Sequence, residues 1–465
     1  MQHAHLVGIG GSGLSAIARV LFEDGYIVSG SDLEYSSYAS DLENMGMRIF
    51  VGHSADQIIG ADFILRSSAI PDSNVEVIAA QEMGLPIYKR AEFLGKLTAN
   101  RNCVAVAGTH GKTTTTAMIS WMLTELDQDP SYIIGGVSKN LYSNAHAGQG
   151  SIFVIEADEY DRMFLGLQPQ IAVVTNIEHD HPDSFPSESD FVTAFIEFVD
   201  RISNDGYLLA CTDDKRTLDL LEYASQVSDI YTRSYGLDIR QDGISPDFMG
   251  RNLSRNRSGS FSFDVFCDDV LMASINLQVP GIHNVRNSLA SLAVADILGL
   301  QVENAASALS DFQGTERRFE IRGEVSGITV IDDYAHHPTE IRATLDAARY
   351  RYPECDLWAV WQPHTYSRTE ILFDQYLDAF AEADHVLVTE VYPSREKVRD
   401  DFSSLQVVQS MDHKDVSFLS SKPDVIEYLL TNLNSGDVVI VLSAGDANQI
   451  STQVVEQLSL NGNAK

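Results

Sequence analysis

The chain has 465 residues, 44% of them hydrophobic, with 32 basic against 66 acidic side chains and a formal net charge of −34. That length exceeds one hydrophobic core and predicts two to four domains. The acidic balance excludes nucleic acid and anionic membrane as partners, so an anionic ligand has to be met by local cations and backbone N–H groups.

No apolar run reaches the roughly eighteen residues of a membrane span. The opening MQHAHLVGIGG lacks the basic and long apolar regions of a secretory signal. Cys103, Cys211, Cys267 and Cys355 stand far apart with no CxxC pair. A reducing cytoplasm without structural zinc is the expectation.

In chain order, HLVGI (5–9) reads as a buried strand, followed by glycines and the helical LSAIARVLFEDG. YIVSGSD (26–32) reads as a second strand, and apolar runs at 47–51, 62–67 and 86–88 as further ones. GIGGSG at 8–13 fits GxGxxG through Gly8, Gly10 and Gly13, with Asp32 ending the next strand. By rule this is a dinucleotide fingerprint with Asp32 on a ribose hydroxyl. Its physical content is a diphosphate beside a ribose, so the motif alone does not choose between NAD and a UDP-sugar.

A second block opens with CVAVAG, a helix TTTTAMISWMLTEL, and strands SIFVIEAD (151–158) and IAVVTNIEHDH (171–181). Polar residues 236–260 suggest loops and short antiparallel strands, and a helix follows VPGIHN. A third block alternates helical patterns with ITVIDD (328–333), LWAVWQP (357–363), HVLVTEV (385–391) and DVVIVLS (437–443). The expectation is three α/β domains at 1–100, 101–313 and 314–465.

GTHGKT at 108–113 is a shortened Walker A loop. A strand delivers the chain to a glycine turn, N–H groups point inward, and the helix adds its positive end. Lys112 can reach β and γ phosphates, and Thr113 or Thr114 can ligate Mg²⁺. Glu156 ends the next strand at the same sheet edge, placed for the metal, with Asn176, Glu178, His179, Asp180 and His181 at the end of the strand after it. DDYAHHPTE, taken alone, fits a strand end leading into a helix capped by Thr339.

GIGGSG, GTHGKTTTT, EADEYD, TNIEHDHPD, GIHNVRNSLA, ERRFE, DDYAHHPTE and QPHTYSRT, in this order from residue 5 to about 446, resemble the Mur ligases of peptidoglycan synthesis. The resemblance implies an N-terminal Rossmann-like UDP-binding domain, a central P-loop ATPase-type domain and a C-terminal Rossmann-like domain. It implies an ATP-dependent ligase joining L-alanine to the lactyl carboxylate of UDP-N-acetylmuramate through an acyl phosphate. That places the protein in the cytoplasm, in cell-wall biogenesis, with ATP and Mg²⁺ as cofactors. The alternative is the branch that attaches a preformed tripeptide in cell-wall recycling.

Residue by residue, the UDP substrate falls to Gly8, Gly10, Gly11, Ser12, Gly13, Asp32, His53, Ser67 and Ser68. ATP falls to Gly108, Thr109, His110, Gly111, Lys112, Thr113, Thr114, Asn284, Arg318 and Asp333, with Asp332 a competitor of Asp333. The metal falls to Thr113, Glu156 and His181. Tyr334, His336, His364 and Arg368 correspond to the amino-acid pocket, with His336 or His364 as base. The catalytic set is Lys112, Arg318, His336, His364 and Arg368. Relatives often carry arginine where this chain has Thr365, which leaves Arg368 as the carboxylate clamp. Monomer and homodimer both stay open.

A NAD-dependent dehydrogenase leaves the GKT loop and Glu156 unexplained. A folylpolyglutamate-type ligase lacks a UDP domain, so GIGGSG counts against it. A non-catalytic nucleotide-binding module leaves the third block's histidines and arginines without a role.

Overall fold

The computed structural model describes residues 1–227, 229–237, 245–256 and 259–462. Three sheets follow one another along the chain. The first has five parallel strands in the spatial order Arg48–Val51, Ile27–Asp32, His3–Val7, Phe63–Arg66, Ile87–Lys89. Strand order reverses beside His3–Val7, so the crevice at its carboxyl end, where GIGGSG begins, is the switch point at which such sheets take ligands.

The second sheet has ten strands. Its parallel centre sets Ile171–Val174, Asn102–Ala107 and Ile152–Glu156 side by side, with Val106 opposite Glu156 and Ala107 opposite Val174. Both faces of this centre are covered, so the strands are apolar along their buried length, with Asn102 and Glu156 at strand ends. Phe248–Arg255, Phe261–Cys267 and Val270–Asn276 extend it as an antiparallel wing. This confirms the antiparallel reading of 236–260 where it can be seen; residues 238–244 and 257–258 of that stretch lie outside the described residues.

The third sheet runs Glu320–Val325, Ile328–Asp333, Val438–Leu442, Leu357–Trp361, His385–Val388, Val416–Phe418. All pairs are parallel except the first. Asp333 and Trp361 both pair with Leu442, so the segments after two of these strands, DDYAHHPTE and QPHTYSR, leave the sheet at one edge.

Two expectations need correction. The strand expected at 171–181 stops at Val174. Beyond it Thr175 and Asn176 hydrogen-bond the carbonyl of His110 through their side chains, at 2.6 and 3.0 Å, which takes the segment out of the ladder and binds it to the phosphate loop. The helix after DDYA is capped by His337, not Thr339: Nδ1 of His337 accepts the Thr339 N–H, Pro338 takes the first helical position, and Glu340 completes a capping box. Among the described residues no helix is long and apolar enough to cross a membrane.

Candidate active site

Gly108 turns the chain out of its strand with φ 129°, and a Cβ there would run into Thr175. The helix Lys112–Glu125 starts four residues later, so its free N–H groups face the loop. Lys112 folds back across it. Its Nζ donates to the carbonyl oxygens of Gly108 at 2.6 Å and Thr109 at 3.1 Å, and to Glu159 Oε1 at 2.8 Å. Glu159 is fully buried. Burial opposes its charge, but Lys112 and His181 outweigh burial and hold its pKa below the usual carboxylate range.

Glu156 faces the start of the same helix. Oε1 accepts from the Thr113 hydroxyl at 3.1 Å and Oε2 from the Gly135 N–H at 2.7 Å. Burial pushes its pKa up, opposed by Lys112. Each carboxylate oxygen takes one hydrogen bond and keeps a lone pair; with Thr113 it forms the hard-oxygen donor set that suits Mg²⁺. His181 has its Nε2 3.6 Å from Glu159 Oε1 and 3.6 Å from Asp180 Oδ2.

The third domain meets this loop directly. His110 places Nε2 2.9 Å from Glu178 and Nδ1 3.1 Å from Glu340, one carboxylate from each domain. Both nitrogens face acceptors, which requires the doubly protonated ring. Burial resists that charge, yet the two carboxylates hold the pKa up at about 9, and Glu178 in turn falls to about 2 against its own burial. The Thr339 hydroxyl donates to Glu178 Oε1 at 2.9 Å, and Arg318 Nη1 lies 3.5 Å from Glu340 Oε1. Arg318 also stands over the Tyr334 ring at 5.1 Å.

A second contact between the domains is buried. Arg368 Nε donates to Asp180 Oδ1 at 2.8 Å, with 4% and 6% of the two residues exposed. Its other nitrogens lie 3.0 Å from His364 Nδ1 and 3.4 Å from His181 Nδ1. The His336 and His364 rings sit 5.7 Å apart. Burial and the Arg368 charge push their pKa values down to about 3 and about 4, so both are neutral imidazoles at neutral pH. Thr365 turns away from this pocket and donates to Glu396 at 2.8 Å.

A cavity of about 650 Å³ between the second and third domains brings together His110, Gly111, Thr113, Thr114, Asn284, Arg318 and Asp333 from the expected ATP set. Gly108, Thr109 and Lys112 lie outside its lining: the Thr109 hydroxyl is bonded to the main chain of Glu178 at 2.7 and 2.8 Å, and Lys112 is turned onto Glu159. Asp333 lines the cavity; Asp332 instead faces Arg317 at 3.3 Å. Asp333 accepts the N–H groups of Phe319 and Ala335, both at 2.7 Å, and so braces the turn that carries Arg318. Asn284 is held by the Pro280 carbonyl and Asn287.

In the first domain Asp32 Oδ2 accepts the Gly10 N–H at 2.8 Å, so this carboxylate braces the glycine loop as well as ending its strand. His53 lies 3.0 Å from the Ser31 hydroxyl, which donates to the buried Glu76. Ser67 abuts Gly8, where a Cβ would sit 3.0 Å from the Ser67 Cβ, while Ser68 is exposed. Gly11 caps the helix that Ser12 begins. Glu340, Glu159 as partner of Lys112, and the Asp213–Arg286 pair at 2.5 Å on the cavity wall were not singled out by sequence. Only the spacing of Glu340 from His336, one helical turn, hinted at the first of these.

Family models match the chain in series: "Mur ligase family, catalytic domain" over residues 3–102, "Mur ligase middle domain" over 106–295 and "Mur ligase, glutamate ligase domain" over 317–445. UDP-N-acetylmuramate--L-alanine ligase of Caldanaerobacter subterraneus subsp. tengcongensis is 38% identical over 459 residues, covering 98% of each chain. The crystal structure of UDP-N-acetylmuramate-alanine ligase MurC from Thermotoga maritima superposes with a TM-score of 0.82 at 28% identity, covering 99% of this chain and 100% of that one. A murein peptide ligase from Psychrobacter arcticus, also 28% identical and covering 99% of both chains, gives 0.72. With a relative this similar along its full length, and with all three domains matched in order, the chain belongs to the Mur ligase family.

Proposed function

We infer that the protein is an ATP-dependent ligase that joins L-alanine to UDP-N-acetylmuramate in peptidoglycan precursor synthesis. The full-length likeness to ligases of that name supports this, and one geometric observation carries it. The ATP loop, through His110 and Thr113, shares a single cavity with Arg318 and Asp333 of the third domain. A domain boundary near residues 100 and 314 is the division that the three sheets favour.

A carboxylate does not acylate an amine unaided, because oxide is a poor leaving group. Its oxygen instead attacks the γ-phosphorus of ATP while the bond from that phosphorus to the bridging oxygen breaks, releasing ADP and leaving an acyl phosphate. The amine of L-alanine then attacks the acyl carbon, and phosphate departs with the former carboxylate oxygen. Lys112 and Arg318 stabilise charge on the transferring phosphoryl group. Thr113 and Glu156, with His181, are the residues to hold Mg²⁺, which when bound neutralises phosphate charge. The L-alanine carboxylate is assigned to the outer nitrogens of Arg368, where it replaces their histidine contacts; guanidinium suits a bidentate carboxylate. L-alanine attacks as its free amine, and the proton that leaves the nitrogen once it has bonded to the acyl carbon is assigned to His336 or His364, both neutral near pH 7. Gly8 to Gly13, Asp32, His53, Ser67 and Ser68 remain the proposed UDP-substrate contacts, and the cytoplasm the proposed location.

Phosphate release from ATP tests the reading. It is expected to need UDP-N-acetylmuramate and L-alanine together, with a cell-wall tripeptide silent. Release with tripeptide alone would move the assignment to the recycling activity. Glycine and L-serine differ from alanine by one methyl or hydroxyl, so they are expected to lose only about 10- to 200-fold.

A further inference from the structure

The first domain touches the second through two helices. Ser12–Glu23, which leaves the GIGGSG loop, packs on the strands Ser131–Ser138 and Ser143–His146, and Arg90–Thr98 packs on the segment Tyr160–Gly166. Between them lies a cavity of about 140 Å³ lined by Ser12, Gly13, Arg90, Gly135, Glu156 and Asp158, with Ile133 and Ile134. One end of this passage is the glycine loop; the other is the carboxylate assigned to Mg²⁺.

Arg90 is the cation of that lining, and helix stability does not explain it. It is the first residue of its helix, the positive end, where a cation is disfavoured. Its Nε is shut off from solvent and has no hydrogen-bond partner among the described residues. A buried guanidinium nitrogen left unsatisfied costs free energy unless a ligand completes it. The guanidinium lies against Gly13, where a Cβ would sit 2.5 Å from Arg90 Cζ. Any Cβ at the last glycine of GIGGSG would have to displace the flexible end of this arginine.

Phosphoryl transfer demands that the acceptor carboxylate leave the glycine loop and reach the phosphate beside Glu156. Glu156 and Asp158 repel it on the way, and the net charge of the chain adds to that repulsion. We propose that Arg90 binds the acceptor carboxylate of the UDP-linked sugar acid in this passage and presents it for phosphorylation. The assignment rests on the ligase reading above, and it separates Arg90 from the diphosphate, which is left to the free N–H groups at the start of the helix that Ser12 begins, those of Gly8 to Gly11 being spent on Ser31, Asp32 and Gly8.

The test uses two ligands: UDP-N-acetylmuramate, and UDP-N-acetylglucosamine, which has the same nucleotide and diphosphate but no carboxylate. Arg90→Gln is expected to weaken UDP-N-acetylmuramate about 10- to 100-fold, the range for a lost charged hydrogen-bond pair, and to leave UDP-N-acetylglucosamine and ATP binding unchanged. Arg90→Lys keeps the charge without the fork, is expected to recover part of the loss, and serves if the glutamine variant fails to fold. Equal weakening of both sugars would assign Arg90 to the diphosphate and overturn the proposal. Unchanged affinity for both in either variant would overturn it as well. If the unaltered protein binds ATP but neither UDP-sugar, the ligase reading itself falls and the proposal with it.

Discussion

Replacing Lys112 with methionine is expected to lower the rate of phosphate release by about a thousandfold or more. Loss of one preorganised charge donor on a transferring group costs about 10²–10³ in kcat, and Lys112 supplies a full charge at the loop itself. The substitution also strands Glu159, a fully buried carboxylate that Lys112 holds at 2.8 Å. Some loss of stability therefore accompanies the loss of rate, because an unpaired buried charge costs several kcal/mol or takes up a proton. The double variant Lys112→Met, Glu159→Gln separates the two effects. It is expected to regain thermal stability while turnover stays low. Recovery of turnover in the double variant would mean that Lys112 serves only to neutralise Glu159.

The second large effect is expected at Asp180. Its ion pair with Arg368 joins the second and third domains, and both residues are buried. Burial alone would raise the Asp180 pKa, but Arg368 holds it well below the usual range, so the pair is charged across neutral pH. Breaking a buried pair by removing one partner costs about 3–5 kcal/mol, since the other charge remains buried and unpaired. Because the partners belong to different domains, the cost falls on their docking. Asp180→Ala is expected to reduce kcat/KM for L-alanine by at least about 100-fold, at about 1.4 kcal/mol per power of ten, while ATP still binds. Steady-state kinetics with alanine as the varied substrate reads this directly. A fall of less than tenfold would show that Arg368 holds its place through His364 and the packing of its own domain alone.

The nucleotide loop was legible in the sequence because it depends on local chemistry. Gly108, Lys112 and Thr113 lie within one short strand–turn–helix, and Glu156 follows from where the neighbouring strand ends. The long central strands were legible for the same reason: Asn102–Ala107, Ile328–Asp333 and Leu357–Trp361 are apolar runs with both faces covered. Strands at or next to the sheet edges carried weaker signals. Glu320–Val325 alternates charge with apolar residues and contains a glycine, Ser131–Ser138 carries two glycines, and Val416–Phe418 is three residues long.

Contacts across domains were the least legible. Nothing in GTHGKT shows that His110 will sit between Glu178 and Glu340, because Glu340 is 230 residues away and belongs to another domain. The His337 cap was hidden because serine, threonine, asparagine and aspartate lead at that position, which favoured Thr339. The resemblance puts His181 on the metal with Glu156, and in the structure its Nε2 faces Glu159 and Asp180, each at 3.6 Å. A sequence pattern supplies residue types at a sheet edge, and their order of approach comes only from packing.

The account's central claim is that the acceptor carboxylate is phosphorylated before the amine attacks. UDP-N-acetylmuramate labelled with ¹⁸O in that carboxylate, turned over with ATP and L-alanine, tests it most directly. One ¹⁸O is predicted to appear in the released inorganic phosphate and the other to stay in the amide carbonyl. Turnover that yields the amide and phosphate with no ¹⁸O in the phosphate would contradict it.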